Sequence, residues 1–143
     1  VHLGGGGCVA GHGRALETPL KHWGERVRAL KNGMGPDVWA RTTVLAMTEF
    51  GRTVAENGTK GTDHGTGGLM VMAGGAIRGQ KVHGQLAGFE EADLFQRRDL
   101  MPTDDVRRYA AWALRASFGL DRSALASVVF PGMQLGNAPG LLA

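Results

Sequence analysis

The chain has 143 residues, 43% of them hydrophobic, and carries 16 Lys and Arg against 13 Asp and Glu for a formal net charge of +3. That length fits one domain able to bury a core of its own. The basic residues are not interleaved with the few aromatics, which argues against a nucleic-acid partner. No run approaches the roughly 18 apolar residues of a membrane span, and the lone Cys8 can form no intrachain disulfide.

Residues 1–14 are glycine-rich, without a period, and read as a candidate for disorder. No signal peptide is recognisable, and a start at Val1 without methionine reads as a piece or processed form of something longer. A first helix is expected from Thr18-Pro19, a good N-cap followed by the residue preferred at the first helical position. Leu16, Leu20, Trp23, Val27, Leu30 and Met34 recur at alternating spacings of four and three, a single apolar stripe. Gly33, Gly35 and Pro36 end it.

A strand is expected at 42–47, apolar or β-branched nearly throughout, as in a strand covered on both faces. Residues 51–68 form a long polar loop, of a length that in a compact domain is functional or disordered. A second strand is expected over 69–77, a short third around 81–83, and irregular chain over 84–102. Thr103 is read as the cap of a helix whose buried face is Val106, Tyr109, Ala110, Ala113, Leu114 and Phe118. Asp121 caps a last short helix running to Val129. The order predicts a single α/β layered domain over 1–143, with a small, mainly parallel sheet flanked by helices. Two or three strands are few for a sheet that stands alone. A homo-oligomer, most simply a twofold dimer, is therefore expected.

Chemistry-bearing residues concentrate in Thr48-Glu49-Phe50-Gly51-Arg52-Thr53 and in Gly61-Thr62-Asp63-His64-Gly65-Thr66-Gly67-Gly68, directly after the first strand. Polar, ionisable groups at the C-terminal end of a strand are where open α/β sheets place ligand sites. The serines Ser117, Ser123 and Ser127 all fall inside expected helices, and no Gly-x-Ser-x-Gly elbow exists, which argues against the usual serine hydrolase. Cys8 and His12 could mimic a Cys-His pair, but only within a glycine run. Asp63 and His64 are adjacent oxygen and nitrogen donors of the kind that hold zinc or manganese, with His83 nineteen residues on and Glu49 at the strand's end as further ligands. Two readings stay open for each of the others. His83 is a ligand or a surface histidine, and Glu49 is a ligand or the salt-bridge partner of Arg52. Thr59, Thr62 and Thr66 are metal-activated nucleophiles or turn caps.

The stretch T-V-L-A-M-T-E-F-G-R-T-V-A-E-N-G-T-K-G-T-D-H-G-T-G-G at 43–68 resembles the signature of a large uncharacterised bacterial family. So do M-A-G-G-A-I-R-G-Q-K-V-H-G at 72–84, R-D-L-M-P-T-D-D-V-R at 98–107 and V-F-P-G at 129–132. That family is exported by the twin-arginine route and is related to the sulfatase and alkaline-phosphatase superfamily. The likeness covers roughly residues 15–143 and corresponds to the C-terminal portion of longer members. It implies the C-terminal part of an alkaline-phosphatase-like fold, a divalent metal ion, a small-molecule ester substrate and an exported or periplasmic location. Asp63, His64 and His83 match the order in which the superfamily places an Asp-His-Gly and a downstream histidine around its metal, and Glu49 is the alternative for the first ligand position. The upstream half, which carries the nucleophile in relatives, has no counterpart here, nor do residues 1–13 match its Asp-Thr-His segment. The expected function is a metal-dependent hydrolase-like domain acting on phosphate, sulfate or other esters. In it Arg52 balances the anion's charge, and Thr62, Thr66 or water attacks. The alternative is a non-enzymatic truncated domain with a vestigial metal site, stabilised by oligomerisation.

Overall fold

Helix α1 spans Glu17–Trp39 and breaks at Gly35, which stands at φ 73° and ψ 167°, outside helical space. Pro36 follows, and its fixed φ starts a further helical turn through Trp39 instead of ending the helix at Gly33. The computed structural model describes residues 10, 11 and 15–141. The remaining elements are short: strands β1 (Val44–Ala46), β2 (Gly51–Arg52), β3 (His64–Gly65) and β4 (Val71–Ala73), a 3-10 turn at Glu91–Asp93, helix α2 (Val106–Phe118), and helix α3 (Arg122–Ala124), which widens into a π-helical stretch at Leu125–Val129.

This is a mixed α/β chain, but its sheets are not parallel. β1 pairs with β4 and β2 with β3, each as an antiparallel two-stranded ladder. The reason is connectivity: parallel neighbours need a crossover of a dozen or more residues, normally helical. No α-helix lies between β1 and β4. The chain forms two compact units. The first comprises the described residues up to Gly33, Thr48–Gly68 and Leu86–Pro102; the second comprises Met34–Met47, Leu69–Gln85 and the chain from Thr103 on.

The second unit holds the hydrophobic core. Ala111, Leu125, Met133 and Leu135 are buried together, with Trp112, Leu114, Leu120 and Phe130 packed around them. Trp112 donates its indole N–H to the Leu135 carbonyl at 3.0 Å, so the largest side chain at this core leaves no donor unpaired. The helix α2 cap is Asp105, whose carboxylate accepts from the Arg107 N–H, and not Thr103, whose hydroxyl donates to the Gln85 carbonyl at 2.6 Å. The buried face of α2 is Ala110, Ala111 and Ala113, while Val106 and Phe118 at its ends are exposed. Gly119 closes the helix in left-handed geometry, φ 67°.

β1 is half-buried along its length rather than covered on both faces. The expected strand at 69–77 shrinks to β4, and none forms at 81–83, where Val82 is fully exposed. Gly74-Gly75 cuts the strand short. Gly74 stands at φ 144°, and a Cβ there would collide with the Thr42 carbonyl. Gly74→Ala is therefore expected to lose about 2–3 kcal/mol in urea unfolding. Gly79→Ala, where the same atom meets nothing within 4 Å, should stay within about 0.5 kcal/mol of the parent.

Candidate functional site

The first unit has little apolar interior. Its buried side chains among the described residues are Thr53 and Asp99, and what orders it is backbone pairing around a polar network. β2 and β3 form the centre of a hairpin in the register Gly51↔Gly65 and Arg52↔His64. The chain that sequence reasoning treats as loop therefore folds as a strand pair. The far edge of β2 takes a third partner from the stretch read as irregular. Leu100 donates its N–H to the Arg52 carbonyl at 3.1 Å, Val54 donates to the Arg98 carbonyl at 3.0 Å, and Thr53 bridges Asp99. Gly67 closes the bracket by donating to the Leu100 carbonyl at 2.9 Å and accepting from Arg52 at 2.9 Å. A side chain at Gly67 would run into that same Leu100 carbonyl, so the close approach requires glycine.

Asn57 builds the tip. Its side-chain oxygen accepts from the N–H groups of Thr59 and Gly61, both at 3.0 Å, and from the Thr59 hydroxyl at 2.9 Å. Its own N–H donates to the Gly61 carbonyl at 2.8 Å, and Lys60 takes left-handed φ, 59°, to make the reversal. The Asn57 amide then donates to Asp63 Oδ1 at 2.8 Å. Asn57 thus links the turn to a candidate ligand.

Asp63 is exposed and fixed at three points. Besides Asn57, its N–H donates to the Thr53 hydroxyl at 3.0 Å, and its carbonyl accepts from the Thr53 N–H at 3.1 Å. His64 is also exposed and lies flat on Phe50, with ring centroids 4.1 Å apart and planes 4° from parallel. Neighbouring residues in extended backbone present their side chains to opposite faces. Asp63 accordingly turns to Asn57 and His64 to Phe50. Among the described residues, no three His, Cys, Asp or Glu side chains group as a metal site.

The other sequence candidates separate. Arg52 donates Nη1 to the Thr62 carbonyl at 3.1 Å, and forms no ion pair with Glu49 among the described residues. Glu49 is exposed in the first unit, just ahead of β2, and His83 is exposed in the second unit. Thr62 is half-buried, and its carbonyl receives Arg52. Thr66 donates its hydroxyl to Asp99 Oδ2 at 2.8 Å. Cys8 and His12 lie outside the described residues.

Sequence reasoning missed Asp99 and Asn57. Asp99 is 4% exposed, yet it accepts from Thr66 on one oxygen and from Arg98 Nε, at 2.7 Å, on the other. The Arg98 guanidinium, with help from the Thr66 hydroxyl, holds the Asp99 carboxyl below the usual carboxylate range against the opposing effect of burial. Its cover is a thin layer rather than a deep core, and the Arg98 side chain remains 61% exposed. No signal in a single sequence marks which of several Asp-Arg neighbours will be covered. The second unit has a cleft of about 380 Å³ between the end of α2, at Trp112, Arg115, Ala116 and Gly119, and residues 138–141. None of the candidate residues lines it.

A mixed α/β chain with a polar, backbone-pinned hairpin thus carries the residues that sequence analysis singles out. Residues 10–129 match the family described as "Protein of unknown function (DUF1501)", and the chain belongs to that family. Comparison with curated proteins and with solved structures gives no match. No described helix is long and apolar enough to cross a membrane.

Proposed function

We propose that the hairpin carries part of a metal-dependent ester-hydrolase site of the sulfatase and alkaline-phosphatase kind, in which Asp63 and His64 hold a zinc or manganese ion. The supporting observation is the setting of this pair: two exposed donors, His64 in β3 and Asp63 just before it, on a hairpin whose β2 is pinned along both sides. A carboxylate oxygen and an imidazole nitrogen are donor types these ions accept, so the residues fit the group in chemistry. With Asp63 turned to Asn57 and His64 to Phe50, holding one ion would require one of the two side chains to swing toward the other. They supply two ligands, and the reading rests on those two.

Bound there, the ion would supply Lewis-acid polarisation of an ester oxygen and a water of lowered pKa. The chain's own residues orient. Asn57 fixes the Asp63 carboxylate, as outer partners of metal ligands do. Phe50 sets the imidazole plane. Arg52 adds positive charge for an anionic ester while tying the strand to Thr62. Thr66, engaged with Asp99, acts as a strut; water is the attacking group in this reading. Likeness to the C-terminal part of an alkaline-phosphatase-like fold and an exported or periplasmic location belong to the same proposal.

The test is turnover of aryl phosphate, sulfate and carboxylate esters by zinc- or manganese-loaded protein. Hydrolysis is expected to rise with pH through neutrality, since metal-bound water titrates near about 7. It should vanish with a chelator and ignore a fluorophosphonate. No turnover of any of the three classes favours the second reading, a non-enzymatic domain completed by association. One observation favours that alternative independently: α1, the longest element, has no buried residue.

A further inference from the structure

Within the first unit, the Glu17–Gly33 part of α1 presents Leu20, Trp23, Val27 and Leu30 on one face. Leu20 is 62% and Leu30 42% exposed, and Trp23 and Val27 are half-buried. An isolated amphipathic helix gains little stability in water, so a stripe left exposed at Leu20 and Leu30 calls for a partner. The spacing of three, four and three is the seam of a two-heptad coiled coil. With those four residues at the seam, Glu17, Gly24 and Lys31 fall seven apart along one flank, and Arg26 and Gly33 fall along the other.

Charge then decides the orientation. In a parallel pair, opposite flanks meet, and Arg26 comes close to Lys31 of the other helix twice, with repulsion each time. In an antiparallel pair, like flanks meet. Glu17 faces Lys31 of the second copy, twice, and Gly24 faces its own counterpart near the twofold axis. Arg26 opposite Arg26 is then the single repulsion. The same register layers Leu20 on Leu30 and Trp23 on Val27. Glu17 and Lys31 are both exposed, and the space around the Cβ position of Gly24 is open.

We infer that α1 is the interface for a second copy of this chain, paired antiparallel along Leu20, Trp23, Val27 and Leu30 and held in register by Glu17–Lys31 contacts across a twofold axis at Gly24. A two-heptad seam is short against the area stable dimers bury, so the association is weak and depends on concentration. It rests on α1 alone and is independent of the metal reading.

The test uses the full chain carrying Cys8→Ala and Gly24→Cys, with a short bismaleimide added across a concentration series. A covalent dimer is expected. Its yield should fall several-fold with Leu20→Glu or with Glu17→Lys, and recover when Lys31→Glu is added to Glu17→Lys. Asn32→Cys, on the outer side of the helix, should give little product. The charge-reversal pair leaves the apolar stripe intact, so its result does not depend on folding. Failure of the Gly24→Cys protein to crosslink at its highest soluble concentration overturns the inference. So does equal crosslinking through Asn32→Cys, or a double reversal that does not recover the yield.

Discussion

Asp99→Ala is expected to loosen the first unit by about 2–3 kcal/mol. The carboxylate is a side-chain link between Thr66 on the hairpin and the 95–100 segment, beside the backbone bonds of Gly67 and Leu100. Its removal leaves the Thr66 hydroxyl without its acceptor and takes away a charged hydrogen bond. The Arg98 part of that bond is discounted because the guanidinium is well exposed and screened. Thr66→Val, which removes one neutral donor, should cost about 1 kcal/mol. Protection of the Gly67 and Leu100 amides in hydrogen exchange reads the effect locally; unchanged protection in Asp99→Ala contradicts the latch. The pH dependence has a defined sign. A carboxyl whose folded pKa lies below its unfolded value of about 3.9 contributes stability above that value. The contribution is lost as pH falls through the lower, folded pKa. Protection at Gly67 should therefore drop below about pH 4 in the parent, and this acid step should be absent in Asp99→Asn.

The second large effect is on metal affinity. If Asp63 and His64 are the ligands, each single alanine variant removes half of the donor set, and the double variant removes all of it. Asn57→Ala keeps both ligands but frees the Asp63 carboxylate and unties the turn, so it should weaken binding by about 10- to 100-fold, the range for outer partners of metal ligands. Phe50→Ala releases only the imidazole face and should act more weakly. An Asn57→Ala protein that binds metal as the parent does would show that Asp63 is not a ligand. A loss in Phe50→Ala larger than in Asp63→Ala would invert the expected order.

Local rules read some ends and caps of this chain, while Thr18 lies inside α1 and Thr103 is not the cap of α2. The apolar stripe of α1, the Gly119 stop and the Asp121 cap were all legible, because each depends on a few adjacent residues. Pro36 opens a further helical turn instead of ending the helix, since the residue that ends one helix can also start the next. β1 and β4 were placed in the right stretches, but their direction depends on partners far apart in sequence, and both ladders are antiparallel. The segment 51–68 looked like loop because glycines and threonines lack a strand's apolar alternation. It is nevertheless paired, since glycine lets the backbones of 51, 65 and 67 approach closely. Of the site, Asp63 and His64 were visible as a donor pair, whereas Asn57 and Asp99 were invisible. Their roles come from contacts with Asp63 and Thr66 that the fold alone creates.

The most direct test is a calorimetric titration of zinc into the full chain and into Asp63→Ala, His64→Ala, each stripped of metal beforehand. The account predicts a saturable site in the parent, one ion per chain, that disappears in the double variant while the Gly67 and Leu100 amides keep their protection. Equal zinc binding by the two proteins, or none by the parent, would contradict it.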